Sequence, residues 1–218
     1  MINPMKPLAP AACVLTQTLI MVLIMAMAAG CAGIRNKYQE KKTYRLSADP
    51  LQARDPDPAA GDALLVKRFS IAPEFEASTF MYRIGQDRFT SDFYHNYVVP
   101  PARMITDLTM EALYASPMFS PVSPNAMDDI QYRLWGKIID IYGDARDKHQ
   151  LKSVITIRLV LDKNTGKRFD PVRHATYTAG IPMAEPSPDA YITGLNQGLT
   201  QILEAFFRDI SDAGTVSP

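Results

Sequence analysis

This chain holds little that is suited to covalent or metal chemistry. Its 218 residues include two cysteines, three histidines and one tryptophan. Two cysteines cannot build a disulfide framework of the kind that staples small secreted domains. His95, His149 and His174 stand far apart, and no two have the i, i+4 spacing with which a helix offers imidazoles to zinc. A G-x-S-x-G nucleophile turn is missing, and "RIGQDRF" has one glycine where a phosphate cradle needs several. Asp128-Asp129 and Asp140 with Asp144 flank a strand pattern and its turns, where aspartate is common, so they do not single out an acid–base pair. No catalytic residue, metal or cofactor is expected. The 23 Lys+Arg balance 23 Asp+Glu, without the basic excess that a nucleic-acid partner requires. No apolar run reaches the ~20 residues of a bilayer-spanning helix.

What is present begins at the N-terminus. Lys6 is the one ionisable side chain before a run from Val14 to Ala29, whose apolar core is Leu19–Ala29. That length suits the apolar part of a signal peptide. Small residues Ala28, Ala29 and Gly30 then precede Cys31, followed at once by polar sequence. The tetrad resembles a bacterial lipobox, with Ala28 where Leu is favoured, and implies cleavage before Cys31 and lipidation of its thiol. Residues 1–30 are then a signal peptide that carries Cys13 away. Loss of Lys6 moves the net charge from 0 to about −1. Residues 31–42 become a lipidated end and tether in which Arg35, Lys37, Lys41 and Lys42 outnumber Glu40. The tether reads either as a solvated spacer or as a segment attracted to anionic headgroups. Bacterial lipoproteins resemble one another in carrying three acyl chains, an attachment far stronger than one chain gives. Ala32, where an Asp would resemble an inner-membrane retention signal, implies an outer-membrane address facing the periplasm.

Residues 43–210 read as one domain and 211–218 as a flexible tail. "TYRLS" has strand character, and the Pro- and Asp-rich stretch 48–62 is a long connection. Strands are predicted over 63–72, 78–85, 129–144, 152–162 and 170–180, with a further short one in "RFTSDFYHNYVV". In the 129–144 strand Tyr132, Leu134, Gly136 and Ile138 form one face and Trp135, Ile139 and Ile141 a second apolar face, which places it centrally in a sheet. "KNTGK" is a hairpin turn with Gly166 free to adopt positive φ. The polar 170–180 strand belongs at an edge. Pro100-Pro101 opens one amphipathic helix, with Met104, Ile105, Leu108, Ala112 and Leu113 inward. Ser187 caps a second, striped by Ile192, Leu195, Leu199, Ile202, Leu203, Phe206 and Ile210. The expected fold is α/β of the α+β kind: a mixed, largely antiparallel sheet packed against two amphipathic helices.

Two apolar stretches stand outside these patterns. "DFYHNYVVPP" brings Phe93, Tyr94 and Tyr97 together, and "SPMFSPVSP" brings Met118 and Phe119. They either cap the ends of the core or form a docking surface or lipid-contacting groove.

The run "LLVKRFSIAPEFEASTFMYRIGQDRFTSDFYHNYVVPPARMITDLTMEALYASPMFSPV", then "YRLWGKIIDIYGD" and "YITGLNQGLTQILEAFFRDI", resembles the ABC-type transport auxiliary lipoprotein family. Its landmarks are Cys31, the early "YRL", Tyr82-Arg83, Phe93-Tyr94 and "SPMFSPV". The resemblance implies two helices on a mixed sheet and no catalytic residues. It implies anchorage in the cell envelope beside an ABC transporter of the mammalian-cell-entry type, which moves phospholipid between the two membranes. The implied partner is that system's periplasmic substrate-binding subunit, with phospholipid as a further contact. The competing expectations are an outer-membrane lipoprotein that assembles another envelope complex, and an anchored hydrolase.

Overall fold

Alternation in "YRLWGKIIDIYGD" sets the organising strand of the computed structural model, which describes residues 14, 17–21, 40–49, 62–116, 118–126 and 129–212. Glu40–Pro218 forms one compact unit, separate from Met1–Gln39. The strands described are β1 (Lys42–Tyr44), β2 (Asp62–Val66), β3 (Ser70–Ile71), β4 (Thr79–Arg83), β5 (Phe89–Tyr97), β6 (Phe119–Ser123), β7 (Tyr132–Asp144), β8 (Lys152–Asn164) and β9 (Phe169–Pro182). The helices described in this unit are α1 (Pro101–Tyr114) and α2 (Pro188–Asp212), with a 3-10 turn at Pro73–Phe75.

All the strands join one mixed sheet. Along one edge β7 pairs antiparallel with β8 over its full length, and β8 pairs antiparallel with β9. Along its other edge β7 is shared: β2, β3 and β4 meet it in turn, all parallel. From there the sheet continues separately, through β2 to β6 at one end of β7 and through β4 to β5 and β1 at the other. The antiparallel pairs are β7–β8, β8–β9 and β4–β5, and the remaining pairs are parallel.

The predicted β7 face of Tyr132, Leu134 and Ile138 is buried under the helices. The predicted second apolar face is only partly so. Trp135, in regular register before any irregularity, lies on the face opposite buried Leu134 and is 39% exposed; beyond a register shift between Ile138 and Asp140, Ile141 turns into the core and Ile139 is half-buried. Central position therefore comes with one bare surface. The β8–β9 turn has Gly166 at φ 81, and β9 is an edge strand, as its polarity predicts.

The 63–72 strand differs from its expectation by breaking into β2 and β3. At the break, Lys67 N–H donates to Leu134 O, and Phe69 N–H donates to Thr106 Oγ1 of α1, 3.0 Å away. A helix hydroxyl thus takes over a bond that the ladder would have supplied. Sequence reading did not predict β6, because Pro121 argues against a strand; at a sheet edge a missing N–H is tolerated.

The helix stripes fall as predicted. Met104, Ile105, Ala112 and Leu113 of α1 are buried, with Leu108 half-buried, and so are Leu195, Leu199, Ile202, Leu203, Phe206 and Ile210 of α2. Ser187 Oγ accepts Ala190 N–H at 3.1 Å, an N-cap bond that satisfies a first-turn donor. The segment after β1 runs along α2, with Ser47 N–H donating to Asn196 Oδ1 and Asp49 N–H to Thr200 Oγ1. Leu46, just before Ser47, is fully buried.

Candidate functional site

The aromatic residues near β5 divide between surface and core, and the strand pairing explains how. Between the pairs Met81–Ser91 and Thr79–Asn96, β4 moves two residues while β5 moves five. The extra residues leave the ladder as an excursion. Asp92 holds its shape: Oδ1 accepts the N–H groups of Tyr94 and His95 at 2.8 and 3.1 Å, and Oδ2 lies 2.7 Å from His95 Nδ1. Such a local carboxylate cap competes with ladder bonding and stabilises the turn.

Phe93 stands on this excursion, 66% exposed. Its ring meets Tyr94 edge to face at 5.1 Å, and Lys41 Nζ lies 4.1 Å from its centroid. Lys41 immediately precedes β1, which pairs with β5 at His95–Tyr97. The exposed ring therefore sits where the chain from residue 31 enters the sheet.

Tyr97 is a correction to the surface reading. Only 3% exposed, it lies in a cluster with Phe80 at 4.7 Å, which in turn meets Tyr191 at 5.0 Å. The Tyr97 and Tyr191 hydroxyls share a 2.9 Å hydrogen bond. Burial pushes both phenols up, Tyr97 in spite of the opposing bond from Tyr191. Each hydroxyl is engaged by the other inside the core, so the pair ties β5 to α2.

Phe119 is a second correction: it is 3% exposed and packs edge to face on Tyr132 at 5.6 Å. Met118 is half-buried, and Ser211 Oγ–H donates to its sulfur at 3.5 Å. Met118 and Phe119 belong to the β6 end, paired with β2, whereas Phe93 and Tyr94 belong to β5, paired with β4. The structure does not assemble the two stretches into one groove. Cys31 and the leader before it lie outside the described residues, apart from helical positions 14 and 17–21. Among the described residues no helix is long and apolar enough to cross a membrane.

Several titratable groups are engaged in structure. Asp144 accepts Arg146 Nη2 at 2.6 Å, and the guanidinium hydrogen bonds hold its carboxyl below the usual range. Asp209 of α2 accepts from Tyr177 at 2.7 Å and pairs with Arg173, tying α2 to β9. These bonds, Tyr177 first, lower the Asp209 pKa, while burial and the Asp209 bond raise Tyr177 to about 12. His149 and His174 are exposed on separate elements. Among the described residues no three His, Cys, Asp or Glu side chains are grouped as metal ligands.

Sequence reading missed a further cluster, on the bare face of the sheet. Asp162, 4% exposed, accepts Arg133 Nε at 3.0 Å, Arg133 Nη2 at 2.6 Å and Trp135 Nε1 at 3.1 Å, all on Oδ2. The Arg133 guanidinium also lies 4.4 Å from the Phe169 ring centroid. The signal was present in "YRLWGK": Arg133, Trp135 and Lys137 alternate with the core residues, but the tryptophan suggested burial.

No family model matches the sequence, and no curated protein does. Solved structures do share the fold. The crystal structure of protein XCC0632 from Xanthomonas campestris, described by the family model DUF330, matches with a TM-score of 0.63 at 18% identity, over 79% of this chain and 94% of that one. A second crystal structure, described as an uncharacterized protein, matches with a TM-score of 0.63 at 13% identity, over 78% of this chain and 99% of the other. At such identities the likeness establishes the fold alone, and it covers nearly the whole of both neighbours.

Proposed function

We propose that this chain is a non-enzymatic auxiliary lipoprotein of an ABC-type, mammalian-cell-entry-like transporter that moves phospholipid between inner and outer membranes. In this reading Cys31 carries the acyl chains, the domain stands in the periplasm at the outer membrane, and it works by binding the periplasmic substrate-binding subunit. Support comes from the lipobox-like Ala28–Cys31 tetrad and from the resemblance that spans residues 43–210.

One observation carries the docking part. Phe93 is held 66% exposed on a braced excursion, with a cation over its ring. A large aromatic kept out of the core at a fixed position has the character of an interface anchor. The ten residue-to-residue steps from Cys31 to Lys41 reach at most about 35 Å when extended, so the anchor and this ring stay close along the chain.

The test is binding of the full chain to its transporter's substrate-binding subunit, wild type against Phe93→Ala. The excursion contributes little to the core, so the variant should melt within about 1 kcal/mol of wild type while affinity falls about ten-fold or more, the range of a ≥ 1.4 kcal/mol anchor. Equal affinities would remove Phe93 from the interface.

A further inference from the structure

The sheet face turned away from the helices carries an ordered grid at its β8–β9 turn end. Strand registers set its rows: Arg133 opposite Asp162 opposite Pro171, Trp135 opposite Val160 opposite His174, and Lys137 opposite Arg158 opposite Thr176. By alternation these point away from buried Leu134, Leu159 and Leu161. Lys67, whose N–H bonds Leu134 O, flanks the grid on the other side of β7. Lys67, Arg133, Lys137 and Arg158 thus outnumber the carboxylates beside them on this face: Asp162, which already accepts three N–H bonds, and Asp140, opposite Thr156 one row beyond Lys137.

Between these side chains lies a cleft of about 490 Å³, lined by Lys67, Arg133, Trp135, Val160, Phe169 and His174, among others. That volume is within the range of small-ligand sites. The Arg133 fork is fixed before any ligand arrives, by Asp162 on one side and the Phe169 ring on the other. Its Nη1 has no partner among the described residues, and neither has the Lys67 ammonium. Guanidinium N–H groups match carboxylate and phosphate oxygens, and an already ordered side chain loses little further entropy on binding. A cross-strand ion pair alone would require neither the neighbouring unpaired cations nor an open aromatic wall.

We infer that this cleft binds an organic anion: a phosphate ester or carboxylate carried on an apolar stem. The acid group meets Arg133 and Lys67, and the stem lies against Trp135 and Phe169. The site goes beyond the proposed function and does not depend on it.

Trp135 is the one tryptophan of the chain, so its fluorescence reports on this cleft and nothing else. The full chain is titrated with hexyl phosphate, hexanoate, inorganic phosphate and hexan-1-ol. Hexyl phosphate or hexanoate should give a saturable change, and the tighter of the two identifies the acid group. Inorganic phosphate and hexan-1-ol should bind at least about ten-fold more weakly, since each lacks half of the recognition. Lys67→Gln, at an exposed position, should weaken the anion about two- to five-fold. The paired variant Arg133→Gln/Asp162→Asn removes both charges together, so no buried carboxylate is left unpaired, and should cost about ten-fold or more by calorimetry. A saturable response equal for hexan-1-ol and hexyl phosphate would overturn the inference. So would the lack of any saturable response to both anions, or wild-type affinity in Lys67→Gln together with the paired variant. Should the paired variant unfold, Lys67→Gln decides alone.

Discussion

A single methyl group added at Gly143 tests how tightly α2 is locked to the sheet. A Cβ built there would stand 2.5 and 2.8 Å from Cδ1 and Cε1 of Tyr82, and 3.4 Å from Cδ2 of Tyr191. Tyr191 is fully buried and its hydroxyl is bonded to Tyr97, so it has nowhere to move. Tyr82 is half-buried and must yield, at the expense of its 5.4 Å ring contact with Tyr191. Overpacking of this kind costs about 1–3 kcal/mol, and an aromatic pair is worth about 0.5–1.5 kcal/mol. Gly→Ala also stabilises by about 0.4–1 kcal/mol through the unfolded chain. Gly180 on β9 supplies the control: a Cβ there meets nothing within 4 Å, and neither glycine lies in the left-handed region. Because both variants share the unfolded-state gain, their difference isolates the packing cost. Gly143→Ala should be less stable than Gly180→Ala by about 1–3 kcal/mol. For a domain of this size, thermal melts should separate by about 2–4 °C per kcal/mol. Coincident melting curves would refute the Tyr82–Tyr191 wedge.

Other consequences follow from the same contacts. Tyr97→Phe leaves the buried Tyr191 hydroxyl without its partner, and should cost about 1–3 kcal/mol in chemical denaturation while the aromatic packing is retained; a loss under about 0.3 kcal/mol would show that the bond contributes nothing. Asp209 has a folded pKa below its unfolded value, so its contribution is complete above the ordinary carboxylate range near 3.9 and disappears as pH falls through the folded value. The stability gap between wild type and Asp209→Asn should therefore be constant from about pH 6 to pH 8 and close in acid. Tyr177 behaves oppositely: raised to about 12, it should support folding up to about pH 10 and lose that support as pH rises towards 12, a change absent from Tyr177→Phe.

What the sequence made legible were elements whose period is set locally. The β8–β9 hairpin announces itself through alternating Ile155, Ile157, Leu159 and Leu161, then the turn at Gly166. Helix α2 shows its stripe and its Ser187 cap with no need of tertiary information. The parts not legible depend on distant pairings. Phe93 and Tyr97 have the same parity along β5, yet one is 66% and the other 3% exposed. Only the unequal advance of β4 and β5 separates them, and that is a property of two strands together. Trp135 failed in the same way: an apolar residue on a central strand reads as core until the bare face is seen. The break between β2 and β3 required a hydroxyl from α1, thirty-seven residues along the chain. Pro121 hid β6, because a proline argues against a strand unless the strand is known to lie at an edge.

The most direct test of the account is the mass of the mature N-terminal residue. Purified from bacterial membranes, the chain should begin at Cys31 with its thiol and amine acylated. A chain that retains residues 1–30 and carries an unmodified Cys31 thiol would contradict the anchored-lipoprotein reading at its root.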